Sequence, residues 1–362
     1  MSLLPDRRLC VAPMLDYTDR HCRYFLRGFS PRALLYTEMI TTEAILRGDA
    51  ERLLQHSPAE HPVALQLGGG DPVRLASAAR IGAEAGYDEI NLNCGCPSER
   101  VNAGSFGACL MREPARVAEC VAAMIEAVDV PVTVKMRIGV VAGGARAARE
   151  QIGAFDADDH ESLAGFVAAV SAAGCGTLIV HARKAVLGGL SPKENRNVPP
   201  LHYDVVRWLK QEFPAIEIIL NGGLRATAQV LESLDWCDGV MLGREAYHRP
   251  WALAELHQAI YPDDGWQAPE AEAVLARMAD YAAAQLLRGE SLSAVVRHLL
   301  GLQNGRPGAR RFRQHLAEGA RQPGAGPELI RSALRVAAAE PESQELLRAE
   351  AARNATLFAE TA

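Results

Sequence analysis

Eight short runs rich in aliphatic and β-branched residues recur along the first two-thirds of the chain, and this repeat constrains the fold more than any other feature. They are "LCVAPM" (9–14), "ALLYTEMI" (33–40), "PVALQLGG" (62–69), "EINLNCG" (89–95), "PVTVKMRIG" (131–139), "TLIVHARK" (177–184), "EIILNGGL" (217–224) and "DGVMLGREAY" (238–247). Between most of them the apolar residues fall at helical spacing, as in "PVRLASAARIGAEAG" (72–86), "PARVAECVAAMIEAV" (114–128), "ESLAGFVAAVSAAG" (161–174) and "TAQVLESLDW" (227–236). Strand and helix alternating in this way over about 250 residues predict an α/β fold, a (β/α)8 TIM barrel. The runs begin almost continuously apolar, as strands covered on both faces should. Their C-terminal ends are polar, with Glu38, Gln66, Asn93, Lys135, His181, Asn221 and Arg244. In a barrel those ends converge on one mouth, where active sites form.

The repeat stops at "YPDDGWQAP" (261–269), which reads as a linker. Beyond it "EAEAVLARMADYAAAQLLRG", "SLSAVVRHLLGL" and most of the remainder are helical. The expected division is therefore a barrel over 1–262 followed by a smaller all-helical domain over 267–362. Residues 139–160 are expected to form a long surface loop after the fifth strand, with a short helix around Arg146 to Ile152. The N-terminus has no basic segment leading into a long apolar one, so no signal peptide is expected. No apolar run reaches membrane-spanning length. The eight cysteines lack the spacing of a disulfide framework. Cys10, Cys22, Cys109, Cys120, Cys175 and Cys237 read as small buried hydrophobes. A reducing cytoplasm is the expected location.

The mouth has the residues for an anionic ring cofactor. No G-x-G-x-x-G motif opens a helix after a strand, and there is no Walker A loop. Glycine turns instead close the seventh strand ("NGGL", 221–224) and the eighth ("GRE", 243–245). Backbone N–H groups at such turns bind phosphate, and late strands are the usual phosphate site of a barrel. Only four of the 38 basic residues are lysines, yet Lys135 is kept at a strand end. A compact ammonium is not interchangeable with a guanidinium at a tight site. The segment "NLNCGCPSERVNAGSFGACLM" (91–111) sets Cys94 and Cys96 beside Pro97 where the fourth strand ends. No second Cys/His pair has zinc spacing, so no metal site is expected.

Together these blocks resemble the tRNA-dihydrouridine synthases, and most closely the branch acting at positions 20 and 20a of the tRNA D-loop. The resemblance is carried by "VAPMLDYTDRHCRYFLR" (11–27), "LYTEMITTEAI" (35–45), "HPVALQLGG" (61–69), "YDEINLNCGCPSERV" (87–101), "HARKAVLGGLSPKENR" (181–196), "LNGG" (220–223), "DGVMLGREAY" (238–247) and "RHLLGLQNGRPGARRFRQHL" (297–316). It implies an FMN-bearing barrel, a helical tRNA-binding domain and NADPH as reductant; no membrane partner is expected, and the sequence leaves the oligomeric state open, with a monomer the expectation. It places flavin contacts at Pro13, Met14, Leu15, Gln66, Lys135 and His181. Phosphate contacts fall on Asn221, Gly222, Gly223, Gly243 and Arg244. The catalytic cysteine falls on Cys96, and the asparagine that meets the uracil on Asn93. Contacts to tRNA fall on Lys193, Arg196, Arg310 and Arg313. The chain departs from the family in "LGLQNG", where Gln303 and Asn304 replace a segment that usually holds an aromatic.

The implied chemistry is coherent. Saturating the C5–C6 bond of uracil needs a hydride at C6 and a proton at C5. A flavin supplies the hydride, and an ordinary thiol, mostly protonated at neutral pH, can supply the proton. Cys94 reads as filler. The net charge of −6 argues against a surface that coats nucleic acid generally, but residues 297–321 hold six arginines against one acid, Glu318. A stacked uridine must also be drawn out of the RNA to reach a barrel mouth. Two alternatives stand beside this reading: an FMN barrel acting on a free pyrimidine, dihydroorotate-dehydrogenase-like, and a non-enzymatic RNA-binding protein on a barrel scaffold.

Overall fold

The computed structural model describes residues 4–98, 106–142 and 151–338. Eight parallel strands close into a barrel: β1 (Leu9–Val11), β2 (Leu34–Thr41), β3 (Val63–Gly68), β4 (Glu89–Cys94), β5 (Val132–Arg137), β7 (Thr177–His181), β9 (Glu217–Asn221) and β10 (Gly239–Leu242). Their order round the barrel is β1-β10-β9-β7-β5-β4-β3-β2. The (β/α)8 expectation is met. Every residue of β3 and β4 is buried, as two-sided cover requires. Inside the barrel Cys10, Ala12, Leu34, Tyr36, Ala64, Ile179, Ile219 and Met241 pack into one apolar cluster, with Met14 against it.

The outer helices start where local chemistry allows. Pro72–Glu84 has proline at its first position, and the Asp71 side chain accepts from the Arg74 N–H. Ala157–Ala172 opens on a reciprocal capping box between Asp156 and Asp159. Register then lines up the strand ends. Asn93 pairs with Lys135, and Gln66 with Asn91. His181 pairs with Asn221.

Two local expectations are corrected. The segment after the fifth strand is not simply a loop: Val140–Ala142 forms β6, which pairs in parallel with β8 (Ala185–Leu187). The expected helix near Arg146 falls largely outside the described residues. The eighth run is strand only to Leu242, and Arg244–His248 is already helical.

The chain divides into two compact units, Met1–Arg20 with Arg32–Gly243, and His21–Pro31 with Arg244–Ala362. The linker read from the sequence at 261–269 thus lies within the second unit. The second unit takes in most of the first helix, Arg20–Arg27, for a visible reason. Tyr24 stacks on Tyr281 with ring centroids 4.0 Å apart. Arg277 donates to the carbonyls of Tyr24 and Phe25, each at 3.1 Å. Further along this unit, helices Ala271–Leu286, Ala309–Gly319 and Glu328–Ala338 pack around Met278, Phe312, Leu316 and Ile330. Among the described residues no helix is long and apolar enough to cross a membrane.

Candidate active site at the barrel mouth

The turn after β4 treats its two cysteines differently. Cys94 is the last residue of β4 and is fully buried, and burial pushes its thiol well above the ordinary value. Cys96 lies beyond the strand end and is only half-buried. Its backbone N–H donates to Asn93 Oδ1 at 3.0 Å, and that of Gly95 to the same oxygen at 3.1 Å. One asparagine side chain thus folds the turn that presents the thiol. The Cys96 thiol itself lies 3.6 Å from Ser98 Oγ.

Next to this turn stands Lys135 on β5. Its Nζ donates to Asn221 Oδ1 at 3.1 Å, and Asn221 Nδ2 donates to the Met241 carbonyl at 2.8 Å. Burial, and then the Arg137 charge, lower the Lys135 ammonium to about 7. His181 is held neutral for the same reasons: burial first, then the cations Arg137 and Lys135. A buried ammonium at the edge of its charged state in a cleft marks a candidate functional position.

The glycines define a cradle. Gly222 has φ +116°, and a Cβ there would lie 2.5 Å from His181 Cδ2. Gly223 has φ +70°, and its Cβ would lie 2.4 Å from Leu201 Cδ1. Tyr203 OH donates to the Gly222 carbonyl at 2.5 Å, so the turn is held from outside. Gly243 follows β10 and has Met14 Sδ and the Ala12 Cβ beside it. Pro13 and Met14 are partly buried and Leu15 is 70% exposed. The Met14 N–H donates to Thr18 Oγ1 at 2.9 Å. Gln66 is buried between Asn91 and Asn93. Arg244, next in sequence to Gly243, opens the helix Arg244–His248. With its glycine turns, buried ammonium, neutral imidazole and amides, this donor set fits a flavin mononucleotide, whose phosphate and ring need those partners.

Sequence reasoning missed Arg137, which stands two residues beyond Lys135 on the same face of β5. It is 3% exposed. Its Nε donates to the Gly95 carbonyl at 3.2 Å, and its Nη1 to the carbonyls of Lys184 (3.4 Å) and Asn195 (3.2 Å). One guanidinium therefore ties the cysteine turn to the loop that carries Lys193 and Arg196. Burial lowers its pKa to about 9, partly offset by its attraction to Cys96. Asn195, also unforeseen, pins that loop: its Oδ1 accepts from the Val186 N–H, and its Nδ2 donates to the carbonyls of Val186 and Leu190. Lys193 and Arg196 on either side are exposed. The signal for Arg137 was present as the alternation Thr133, Lys135, Arg137.

In the helical unit the arginine stripe divides. Arg306 lies over the Trp251 ring, 4.7 Å from its centroid. Arg311 donates twice to the Ala337 carbonyl and so closes the end of the last described helix. Arg310 and Arg313 are exposed on helix Ala309–Gly319. Asn304, one of the departures in "LGLQNG", accepts from Arg313 Nη1 at 2.8 Å and donates to the His248 carbonyl at 2.6 Å.

The fold and site define a (β/α)8 barrel with a half-buried thiol at its mouth, followed by a helical unit. The comparisons narrow it. The dihydrouridine synthase (Dus) family model matches residues 10–338. A tRNA-dihydrouridine(20/20a) synthase of Xanthomonas axonopodis pv. citri is 54% identical over 329 residues, covering 90% of this chain and 93% of that protein. Those of Pseudomonas putida and Synechocystis are 52% and 51% identical, over 86% and 90% of this chain and 89% and 93% of theirs. The chain belongs to the dihydrouridine synthase family. The match runs through the helical unit, which an enzyme acting on a free pyrimidine does not need.

Proposed function

We propose that this protein reduces the C5–C6 bond of uridine to 5,6-dihydrouridine in the tRNA D-loop, at positions 20 and 20a, with FMN as cofactor and NADPH as reductant. The observation that carries the reading is the half-buried Cys96 thiol on a turn braced by Asn93, beside the Lys135–Asn221 pair and the Gly222 cradle.

Lys135, His181 and Gln66 hold the flavin ring, with Pro13, Met14 and Leu15 along its edge. The N–H groups of Gly222, Gly223 and Gly243 hold its phosphate beside Asn221, with Arg244 adding charge. Bound FMN supplies the hydride that no side chain offers. Asn93 meets the uracil edge. Cys96 delivers the proton to C5: its S–H bond breaks, a C–H bond forms, and the thiolate recovers a proton from water. Arg137 and Lys135 are both in electrostatic reach of Cys96. Lys193 and Arg196 guide the uridine in, and Arg310 and Arg313 hold the RNA backbone. On this reading the protein works in the cytoplasm and as a monomer; a tRNA substrate and eight free cysteines fit a reducing compartment.

The test is mass spectrometry of D-loop uridines after incubating unmodified tRNA with NADPH and the purified protein. Uridines 20 and 20a gain two mass units with the wild type. Cys96→Ala slows the gain by about 10² to 10⁴-fold, the range of general acid catalysis, and keeps FMN. Cys94→Ala leaves it near wild type. A colourless protein that takes up no FMN, or a Cys96→Ala enzyme of full activity, overturns the reading.

A further inference from the structure

The inward faces of β4 and β5 carry Glu89, Asn91 and Thr133, which the proposed chemistry leaves unused, in a column of polar side chains that leads up to Asn93. Glu89, Asn91 and Asn93 alternate along β4, and Thr133 sits opposite Asn91 in the ladder. Glu89 is fully buried and paired with Arg7 Nε through Oε2 at 2.7 Å. Its other oxygen, Oε1, accepts from Tyr36 OH and from Thr133 Oγ1, both at 2.6 Å. Thr133, having given its one proton to Glu89, accepts from Asn91 Nδ2 at 2.8 Å. Asn91 Oδ1 accepts from Gln66 Nε2 at 2.7 Å, and Gln66 Oε1 from Asn93 Nδ2 at 2.8 Å. Asn93 Oδ1 then accepts the N–H groups of Gly95 and Cys96.

The direction of every bond in this column is determined by its two ends. The lower end is a carboxylate, which only accepts. The upper end is a pair of backbone N–H groups, which only donate. Each amide between them must turn its NH2 toward Glu89 and its carbonyl toward Cys96. A flip anywhere sets donor against donor or acceptor against acceptor among side chains that are all under 10% exposed. Burial and the Glu89 charge push the Tyr36 hydroxyl well above its ordinary value, so it stays a donor. Barrel interiors are normally filled with branched apolar side chains, which need no such matching.

We propose that Glu89, Thr133 and Asn91 are positioning residues. They orient the Gln66 amide that faces the cofactor and, through Asn93, the turn that carries Cys96. Only the Gln66 half rests on the flavin reading of the mouth; the Gly95–Cys96 half holds whatever binds there.

Thr133→Val keeps the shape and removes the hydroxyl, and Thr133→Ser keeps the hydroxyl. Hydrogen exchange of the Gly95 and Cys96 backbone amides is measured in the flavin-free full-length protein, and FMN dissociation by flavin fluorescence. In Thr133→Val both amides exchange about tenfold faster and FMN binds about tenfold more weakly. Thr133→Ser stays within about twofold of wild type on both counts. Unchanged exchange in a folded Thr133→Val protein, or a serine variant as loose as the valine one, overturns the proposal. If the valine variant does not fold, wild-type protein labelled with ¹⁵N at asparagine and glutamine decides. Slow exchange of the Gln66, Asn91 and Asn93 side-chain amide protons supports the column, and exchange as fast as that of a free amide overturns it. A wild type that binds no FMN fails the flavin reading alone, because the Gly95 and Cys96 exchange still judges the column.

Discussion

Lys135 meets two opposed demands. Burial and the Arg137 charge disfavour its ammonium and bring it to about 7 from the ordinary 10.5. A flavin phosphate or an electron-rich ring edge needs that ammonium charged. If Lys135 holds FMN as proposed, binding above pH 7 takes up a proton, and affinity should fall as pH rises with a limiting slope of about tenfold per pH unit. Titration calorimetry in buffers of different ionisation enthalpy should show the uptake directly. Lys135→Met should bind FMN weakly and lose the pH slope; a slope that survives the substitution assigns the proton elsewhere. The same shift bears on stability. Between pH 7 and 10.5 the unfolded chain carries the Lys135 proton and the folded chain does not. The flavin-free protein thus gains stability as pH rises through that window, and the penalty is at its fullest below pH 7.

At the scale of elements, the turn after β9 is the sharpest case. Gly222→Ala forces an L side chain to φ +116° and sets its Cβ 2.5 Å from the His181 ring. The strain costs about 1–3 kcal/mol and either the turn or His181 must move. The expected result is FMN affinity lowered by roughly ten- to a hundredfold, with the helical unit's tRNA affinity unchanged. Fluorescence titration of FMN beside tRNA binding at one salt concentration checks both. The barrel strands were legible because parallel strands buried on both faces are apolar throughout and are punctuated by capped helices, as with Asp71 and Pro72. β6 and β8 were not legible. Each is three residues long and exists only by pairing with the other across more than forty positions of sequence. The polar file Glu89, Asn91, Asn93 was visible as alternation, but its bonds to Gln66 and Thr133 depend on strand register, which the pattern does not reveal. Likewise Arg20–Arg27 is an amphipathic helix in the structure, and nothing local in the sequence says that its aromatic face belongs with Tyr281 and Arg277.

At the scale of the whole molecule, the proposed RNA contact turns on charge. The protein is acidic overall, at −6, so RNA affinity has to come from a local concentration of cations. Counting arginines between 297 and 321 overstates that concentration, because Arg306 is spent on Trp251 and Arg311 on the Ala337 carbonyl. Of the four others, Arg297 and Arg321 are exposed, and Arg310 and Arg313 lie on the exposed side of one helix, with Asn304 steadying Arg313. If these two each neutralise a phosphate, changing both to alanine weakens tRNA binding for all sequences alike. The slope of log affinity against log salt then flattens by roughly 0.7 to 0.9 per contact removed. Arg306→Ala and Arg311→Ala behave differently: they lower thermal stability, since each breaks an internal contact, and leave the salt slope nearly as it was. NADPH oxidation by the flavin stays at the wild-type rate in the double variant, because that half-reaction uses only the barrel mouth. Filter binding at four or five salt concentrations, read beside stopped-flow flavin reduction, separates these effects. An unchanged slope in the Arg310/Arg313 double variant moves the RNA surface off this helix, and the exposed Lys193 and Arg196 of the loop pinned by Asn195 become the next pair to neutralise.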